Sequence, residues 1–272
     1  IHTVANADAR ICGSRRVTDD RQIFQSSERG QIMKRLLLSL CLMLPLSLSA
    51  LPSSAASKSV PVLDKGRTAV LITDPQNDFL RTDGKLYKLL ADNLKELDTV
   101  ANIEKLMKSA KKGGIALAVD PLVYTALDGN WTHAGALQQQ LLDMKALHRG
   151  SLNDPKGFEG SGADFFDLYK PYINDGNTIV VAPHKMYGPE SNDLIYQLRS
   201  RGIDTVVLGG MVANLCVDSH LRSLMENGFK VYVVKDAVAA PGTDAYKAAL
   251  VNYGMIANGV WTTEEAVKAL AK

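Results

Sequence analysis

Short apolar segments alternate with amphipathic ones along most of the chain, and this alternation constrains the fold more than any other feature. Apolar runs suited to buried strands lie at 68–74, 115–119, 178–182, 205–208 and 230–234, with a short edge strand predicted at 255–257. Strands that are apolar on both faces are typical of parallel sheets covered by helices on both sides. The pattern therefore predicts an α/β fold, with helices on both faces of a doubly wound, mostly parallel sheet.

The segments between the strands carry helical periodicity or end at helix stop signals. Helices are predicted at 89–112, 136–147, 163–169, 191–201, from about 216 to 228, at 244–253, and after a cap at Thr262. The stretch 120–162 is longer and less regular than the other connections. A long excursion after a strand is usually a lid or a substrate loop, although it can also pack on itself, and Trp131 is its most prominent side chain.

The first 56 residues differ from the rest of the chain. From Met33 the sequence has a basic start, an apolar run at 36–48 and a small-residue site ending at Ala56, which together indicate a secretory signal peptide at 33–56. Cleavage is predicted after Ala56, with Ala55 as the alternative. Residues 1–32 show no sustained periodicity and are interpreted as a non-native or disordered leader. The folded domain is predicted at 57–272, in an exported protein that is periplasmic or secreted.

Charge and cysteine content change when the leader is set aside. Seven of the 31 Lys and Arg and four of the 29 Asp and Glu lie in residues 1–56, which leaves 24 positive and 25 negative side chains in the domain. This balance gives no indication of a nucleic-acid or membrane-surface partner. Cys216 is the single cysteine of residues 57–272, so it has no partner there for a disulfide. A leftover thiol in an exported protein is a candidate reactive group.

Three chemically active side chains follow the ends of three different predicted strands. Asp74 follows the first strand, Lys185 the third and Cys216 the fourth. Ligands in doubly wound sheets bind beyond the carboxyl ends of the strands, so these residues are expected to meet at one rim. Each of them alone also has an ordinary structural explanation: a turn residue, a solvated charge and a small buried hydrophobe. Their shared placement is what favours a catalytic site.

The chemistry expected of this set is nucleophilic catalysis. Cys216 is placed after a strand and at the start of a helix, where unpaired N–H groups and the helix dipole favour a thiolate. Asp74 can accept the thiol proton, and Lys185 can hold Asp74 and share its charge. The oxyanion formed on attack could be bound by the N–H of Cys216 and one N–H from residues 211–213.

Two motifs carry a resemblance to a known family. The stretch 73–79 (Thr-Asp-Pro-Gln-Asn-Asp-Phe) and the stretch 210–217 (Gly-Met-Val-Ala-Asn-Leu-Cys-Val), with the lysine loop between them, resemble the isochorismatase-like cysteine hydrolase superfamily from about residue 67 onward. The resemblance implies a three-layer Rossmann-like fold with six parallel strands, an Asp74–Lys185–Cys216 triad and a cis peptide before Val212. It also implies an oxyanion hole from the N–H groups of Val212 and Cys216, and a thioacyl intermediate that water hydrolyses.

The chain also departs from the family pattern. Ala213 stands where a threonine is usual, and the lysine is followed by Tyr187-Gly188-Pro189 instead of Ser-Ala-Phe. His184, next to Lys185, could contribute to the site, although a histidine that closes a strand is more often structural. After the second strand the chain has Asp120 without nearby histidines, so no metal and no other cofactor is predicted.

These residues together predict a cysteine hydrolase that cleaves a C–N bond of a small amide or carbamoyl-type compound. Vinyl-ether hydrolysis is disfavoured, because true isochorismatases generally lack the cysteine. The alternative is a non-catalytic small-ligand-binding or thiol redox-sensing protein on the same fold. A small molecule is the expected partner, and homo-oligomerisation is implied by the resemblance alone. The candidate substrate-binding residues are Asn77, Phe79, Trp131, Tyr187 and Asn214.

Overall fold

Six parallel strands form one sheet in the computed structural model, which describes residues 61–153 and 156–271. The strands are β1 (Thr68–Thr73), β2 (Ala116–Asp120), β3 (Ile179–Val180), β4 (Thr205–Met211), β5 (Lys230–Ala239) and β6 (Gly259–Trp261). Their order across the sheet is β3-β2-β1-β4-β5-β6, and every neighbouring pair runs parallel. The predicted α/β fold with six strands is confirmed. The order reverses between β1 and β4, which is where ligands bind in such sheets.

Helices cover both faces of the sheet. They are α1 (Asn77–Leu80), α2 (Tyr87–Glu96), α3 (Thr99–Gly113), α4 (Ala136–Asp143), α5 (Lys170–Ile173), α6 (Leu194–Arg199), α7 (Asp218–Glu226), α8 (Thr243–Ile256) and α9 (Thr263–Leu270). One face packs mainly against α2, α3 and α9, and the other against α6, α7 and α8. All six residues of β1 and all seven of β4 are buried, as expected for central strands with helices on either side.

Several predicted element boundaries are wrong for local reasons. The predicted helix 89–112 is two helices, because Asp98 adopts a left-handed conformation with φ of 52° between α2 and α3. Residues 163–169 are not a helix, since Phe165 instead bridges to Gln76. The edge strand predicted at 255–257 belongs to the end of α8, and β6 begins after it at Gly259.

The predicted leader and signal peptide lie outside the described residues. The fold therefore bears only on the domain predicted at 57–272. Within the described ranges, no helix combines the length and the apolar character that crossing a bilayer requires.

Candidate active site

Asp74 lies at the carboxyl end of β1, in the middle of the sheet. Its backbone is left-handed, with φ of 52°, and its N–H donates to the carbonyl of Asp120 at 2.9 Å. Its side chain is fully buried. The next turn is fixed by Gln76, whose side chain bonds both the N–H and the carbonyl of Leu122. The motif that begins at Thr73 thus holds one carboxylate rigidly inside the rim of the sheet.

Cys216 follows β4 on a wide turn. The peptide bond between Met211 and Val212 is cis, as the family resemblance implies, and residues Ala213–Val217 form a π-helical turn that continues into α7. The hydroxyl of Thr73 donates to the carbonyl of Met211 at 2.9 Å, and that of Tyr253 donates to the carbonyl of Ala213 at 2.5 Å. These bonds fix the turn on either side of the cis peptide, and Cys216 is only 4% exposed.

The partner of Asp74 is His184, not Lys185. Nε2 of His184 lies 2.8 Å from Oδ1 of Asp74, and both side chains are fully buried. The ammonium of Lys185 instead binds Oδ2 of Asp128 at 2.5 Å and the carbonyl of Val123 at 3.0 Å. The predicted contact of Lys185 with Asp74 is therefore wrong, because neighbouring residues of an extended segment point to opposite sides.

Asp74, His184 and Cys216 form one compact buried group. One ligand-type atom from each of them lies within 4.8 Å of the others. Oδ2 of Asp74, the oxygen that does not face His184, is buried and accepts no hydrogen bond from a nitrogen or oxygen donor of any described residue. A buried carboxylate oxygen without a donor is energetically costly. Here it lies in the same small group as a thiol, which is a natural source of a proton.

Cys216 rests as a neutral thiol, contrary to the thiolate expected from its place at a helix start. Burial raises the pKa of Cys216 well above its ordinary value, and the negative charge of Asp74 raises this pKa further. The N–H of Val212 acts in the opposite direction but is the weaker effect. Because the thiolate is disfavoured in the free protein, the proton must leave as the sulfur attacks.

Asp74 favours the protonated form of His184. Burial alone would lower the pKa of His184, but the charge of Asp74 and its hydrogen bond, with a contribution from Asp120, raise the pKa above its ordinary value. The protonated imidazolium is therefore favoured beside Asp74. The site combines an acid, a histidine whose protonated form the acid favours, and a thiol.

The candidate substrate-binding residues are divided between two environments. Trp131 packs edge-on against Tyr124, with ring centroids 6.0 Å apart, and Tyr187 is 39% exposed. Burial raises the pKa of the Tyr124 hydroxyl, and the charges of Cys216 and Asp74 raise it further. Trp131 thus packs on a residue whose pKa depends on the charges of Cys216 and Asp74, whereas Tyr187 is exposed.

The other candidates make structural contacts. Asn77 donates from its side chain to the carbonyl of Ser161 at 2.8 Å, and Phe79 is part of the hydrophobic core. Asn214 lies in the π-helical turn, where its buried Oδ1 has no hydrogen-bond partner among the residues that the structure describes. Asn77 and Asn214 each keep a buried side-chain oxygen without a partner among the described residues, and Asn214 lies two residues before Cys216.

A second acid–histidine pair was not predicted. His220 lies one helical turn after Cys216, and its Nε2 is 2.9 Å from Oδ2 of Asp120. The spacing of four residues from Cys216 was a usable signal, because residues i and i+4 share one helix face. The end of β2 supplies Asp120, as its place at a strand end suggested.

Two residue groups have the donor types of a metal site. They are Asp74 with His184 and Cys216, and Asp120 with His184 and His220, all fully or almost fully buried. In the second group, Asp120 and His220 are hydrogen-bonded directly to each other. The same groups are also what proton transfer and electrostatic stabilisation require.

Sequence comparison identifies the domain type. Residues 68–265 match the family model for the isochorismatase domain. The ureidoacrylate amidohydrolase RutB of Pseudomonas savastanoi pv. phaseolicola is 29% identical over 197 residues, which is 69% of this chain and 77% of the relative. RutB of Methylobacterium radiotolerans is 26% identical over 204 residues, 70% of this chain and 74% of the relative.

Solved structures share the fold. A cysteine hydrolase from Pseudomonas syringae pv. phaseolicola superposes with a TM-score of 0.61 at 22% identity, covering 76% of this chain and 94% of the neighbour. An N-carbamoylsarcosine amidase from Thermoplasma acidophilum superposes with a TM-score of 0.54 at 19% identity, covering 73% and 97%.

Proposed function

Because this chain belongs to the isochorismatase family of hydrolases, we propose that it cleaves a C–N bond of a small amide or carbamoyl-type compound through a thioacyl intermediate on Cys216. One observation carries the proposal. The buried Asp74 carboxylate has one oxygen on His184 and the other without a donor, within the group that contains the Cys216 thiol. This arrangement suits an acid–base group that exchanges a proton with a sulfur nucleophile.

The first half of the reaction forms the thioacyl enzyme. As Sγ of Cys216 attacks the substrate carbonyl, its proton passes to Asp74. Before this transfer, the positive charge of protonated His184 stabilises the negative charge of Asp74. The N–H groups of Val212 and Cys216 would stabilise the negative charge that develops on the substrate oxygen. Asp74 then returns the proton to the departing nitrogen, which leaves as ammonia or an amine.

The second half regenerates the thiol. A water molecule attacks the thioester carbonyl while Asp74 accepts one of its protons. When the C–S bond breaks, that proton returns to the sulfur and the acid is released. Asp74 thus serves as base in both attacks and as acid in both departures, which is why it needs an oxygen free of other donors.

The similarity to ureidoacrylate amidohydrolases supports a C–N bond as the target. The alternative is a ligand-binding or redox-sensing protein in which Cys216 is oxidised to a sulfenic acid. The high pKa of the Cys216 thiol weighs against this alternative, because sensor cysteines are typically low-pKa and solvent-accessible.

Intact-mass spectrometry with a panel of small primary amides and carbamoyl compounds tests the proposal. We expect an acyl adduct on Cys216 and release of ammonia or an amine. The adduct should be absent from Cys216→Ser, and Asp74→Asn should lower turnover by about 10²–10⁴-fold, the usual contribution of a general acid–base group. Equal rates for wild type and Asp74→Asn would contradict the mechanism, and a reversible sulfenic acid without turnover would support the sensor.

We further infer that the protein acts after export, with residues 33–56 removed as a signal peptide, in the periplasm or outside the cell. The support is the basic start, apolar run and small-residue site of that segment. The proposed partner is the small-molecule substrate, with self-association as a further possibility suggested by the family. Neither nucleic acid nor, after cleavage, a membrane surface is proposed.

A further inference from the structure

A second buried acid–histidine pair lies against the reacting group. Asp120 and His220 are fully buried, and the ring of His220 packs edge-on against that of His184 with centroids 5.1 Å apart. The hydrolytic steps above use Asp74 and His184 but neither member of this second pair. Burying two more ionisable groups beside an active site is costly unless they are fully paired.

Every side-chain polar atom of Asp120 and His220 has a hydrogen-bond partner. Oδ1 of Asp120 accepts from the side-chain amide of Asn192 at 2.7 Å, and its Oδ2 lies 2.9 Å from Nε2 of His220. Nδ1 of His220 faces the carbonyl of Cys216 at 2.7 Å and that of Tyr187 at 3.1 Å. Carbonyl oxygens only accept, so Nδ1 must carry a hydrogen. With both of its oxygens engaged, Asp120 differs from Asp74, which keeps one oxygen free.

The two carbonyls belong to the two segments that must meet for catalysis. One is the carbonyl of the nucleophile itself, on the π-helical turn. The other is that of Tyr187, three residues after His184 on the loop that follows β3. A single N–H of His220 therefore joins the turn that carries the thiol to the loop that carries the histidine.

We propose that His220, oriented by Asp120, is a positioning residue that sets the distance between Cys216 and the Asp74–His184 pair. This inference rests on the proposed function, because it concerns how the same thiol is activated. It differs from a merely space-filling role in requiring the N–H of His220 rather than the volume of its ring.

Two substitutions separate these roles. His220→Phe keeps the ring and loses the donor, whereas His220→Asn loses volume but places an amide N–H near the position of Nδ1. The measurement is the rate at which iodoacetamide alkylates Cys216 in the purified protein, followed by intact mass. In that step a C–S bond forms, iodide leaves and the thiol proton passes to Asp74. The alkylation needs no knowledge of the natural substrate.

We expect His220→Phe to slow alkylation by about 10²-fold, the cost of a misplaced reacting group, and His220→Asn to recover most of that loss. Alkylation of His220→Phe at the wild-type rate, or of His220→Asn no faster than His220→Phe, would overturn the proposal. Near-ultraviolet circular dichroism checks the fold of each variant. Should His220→Phe not fold, His220→Leu, which also lacks a donor, must still label more slowly than His220→Asn.

The test also separates this inference from the proposed function. Slow alkylation of His220→Phe, in a protein that hydrolyses no amide, would refute the hydrolase and keep His220 as a positioning residue. Normal alkylation of His220→Phe, in a protein that does hydrolyse amides, would refute the positioning role alone.

Discussion

A histidine beside Asp74 gives this site a cationic partner whose ordinary pKa lies near neutral pH, whereas the ordinary pKa of a lysine lies in the alkaline range. The pKa of His184 is raised by the Asp74 carboxylate despite the opposing effect of burial. The attraction between the two groups is therefore complete at pH values below the ordinary histidine pKa. It is lost as the pH rises through the raised pKa of His184.

Activity should accordingly fall on the alkaline side of the raised His184 pKa. His184→Lys keeps a cation that remains protonated at higher pH, so its alkaline limb is expected to move upward by at least about one pH unit, given the reference pKa values of the two side chains. The measurement is kcat/KM against pH for wild type and variant. Identical alkaline limbs would show that His184 does not carry the titrating charge.

The adjacent lysine provides a matched control for that experiment. Lys185→Gln removes the bond to Asp128, which ties the loop after β3 to the turn at Asp128–Asn130, and leaves the Asp74–His184 pair in place. We expect this variant to keep the wild-type pH profile, with its main change in KM. A lost alkaline limb in Lys185→Gln would restore Lys185 to the role inferred from sequence.

The sequence was sufficient to predict which loops form the site, but not which of two neighbouring side chains in a loop points into it. Asp74 and Cys216 follow buried strands, so their place at the rim could be predicted from apolar runs. His184 and Lys185 are consecutive, and which of them turns inward depends on the local pairing of His184 with Pro121 and Leu122. That pairing is a tertiary contact, and no local pattern in the sequence encodes it.

At the scale of elements, the end of β4 is where two strands come unusually close. Gly210 has φ of 121°, and a Cβ built there would lie 2.2 Å from the carbonyl oxygen of Thr73. The same Thr73 donates to the carbonyl of Met211 through its hydroxyl. The close approach of β1 and β4 therefore depends on a residue without a side chain.

Gly210→Ala should destabilise the fold by about 3 kcal/mol or more, combining backbone strain with a clash against backbone atoms. Gly254→Ala is the control, because Gly254 lies in α8 with open space around its Cβ position. It is expected to stabilise by about 0.5–1 kcal/mol, since alanine favours a helix over glycine. Urea unfolding measures both, and equal midpoints for the two variants would refute the packing argument.

At the scale of the whole molecule, the alternation of strands and helices was sufficient to predict the sheet. It could not predict the break at Asp98, because a single left-handed residue interrupts an otherwise continuous helical pattern. It also misplaced β6, since the apolar end of α8 resembles a short strand. Errors of this kind shift the predicted ends of helices and strands, but they do not change which residues are predicted at the carboxyl ends of the central strands.

The proposed export leads to a prediction about the first residue of the mature protein. Secreted in a bacterial host, the mature protein is expected to begin at Ser57, because the small-residue site ends at Ala56. N-terminal sequencing of the exported protein checks this, and replacing Lys34 and Arg35 with glutamate should reduce processing by removing the basic start. A protein that keeps residues 33–56 after export would contradict the signal peptide.

The burial of the reacting groups has a consequence for selectivity. Asp74 and His184 are fully buried and Cys216 is only 4% exposed, so a compound can reach the sulfur only through the small part of this residue that is exposed. The enzyme would then select compounds first by whether their size and shape allow them to reach Cys216, and only afterwards by how tightly they bind. Bulky amides that cannot reach Cys216 would neither bind to the enzyme nor compete with its substrate, even at high concentration.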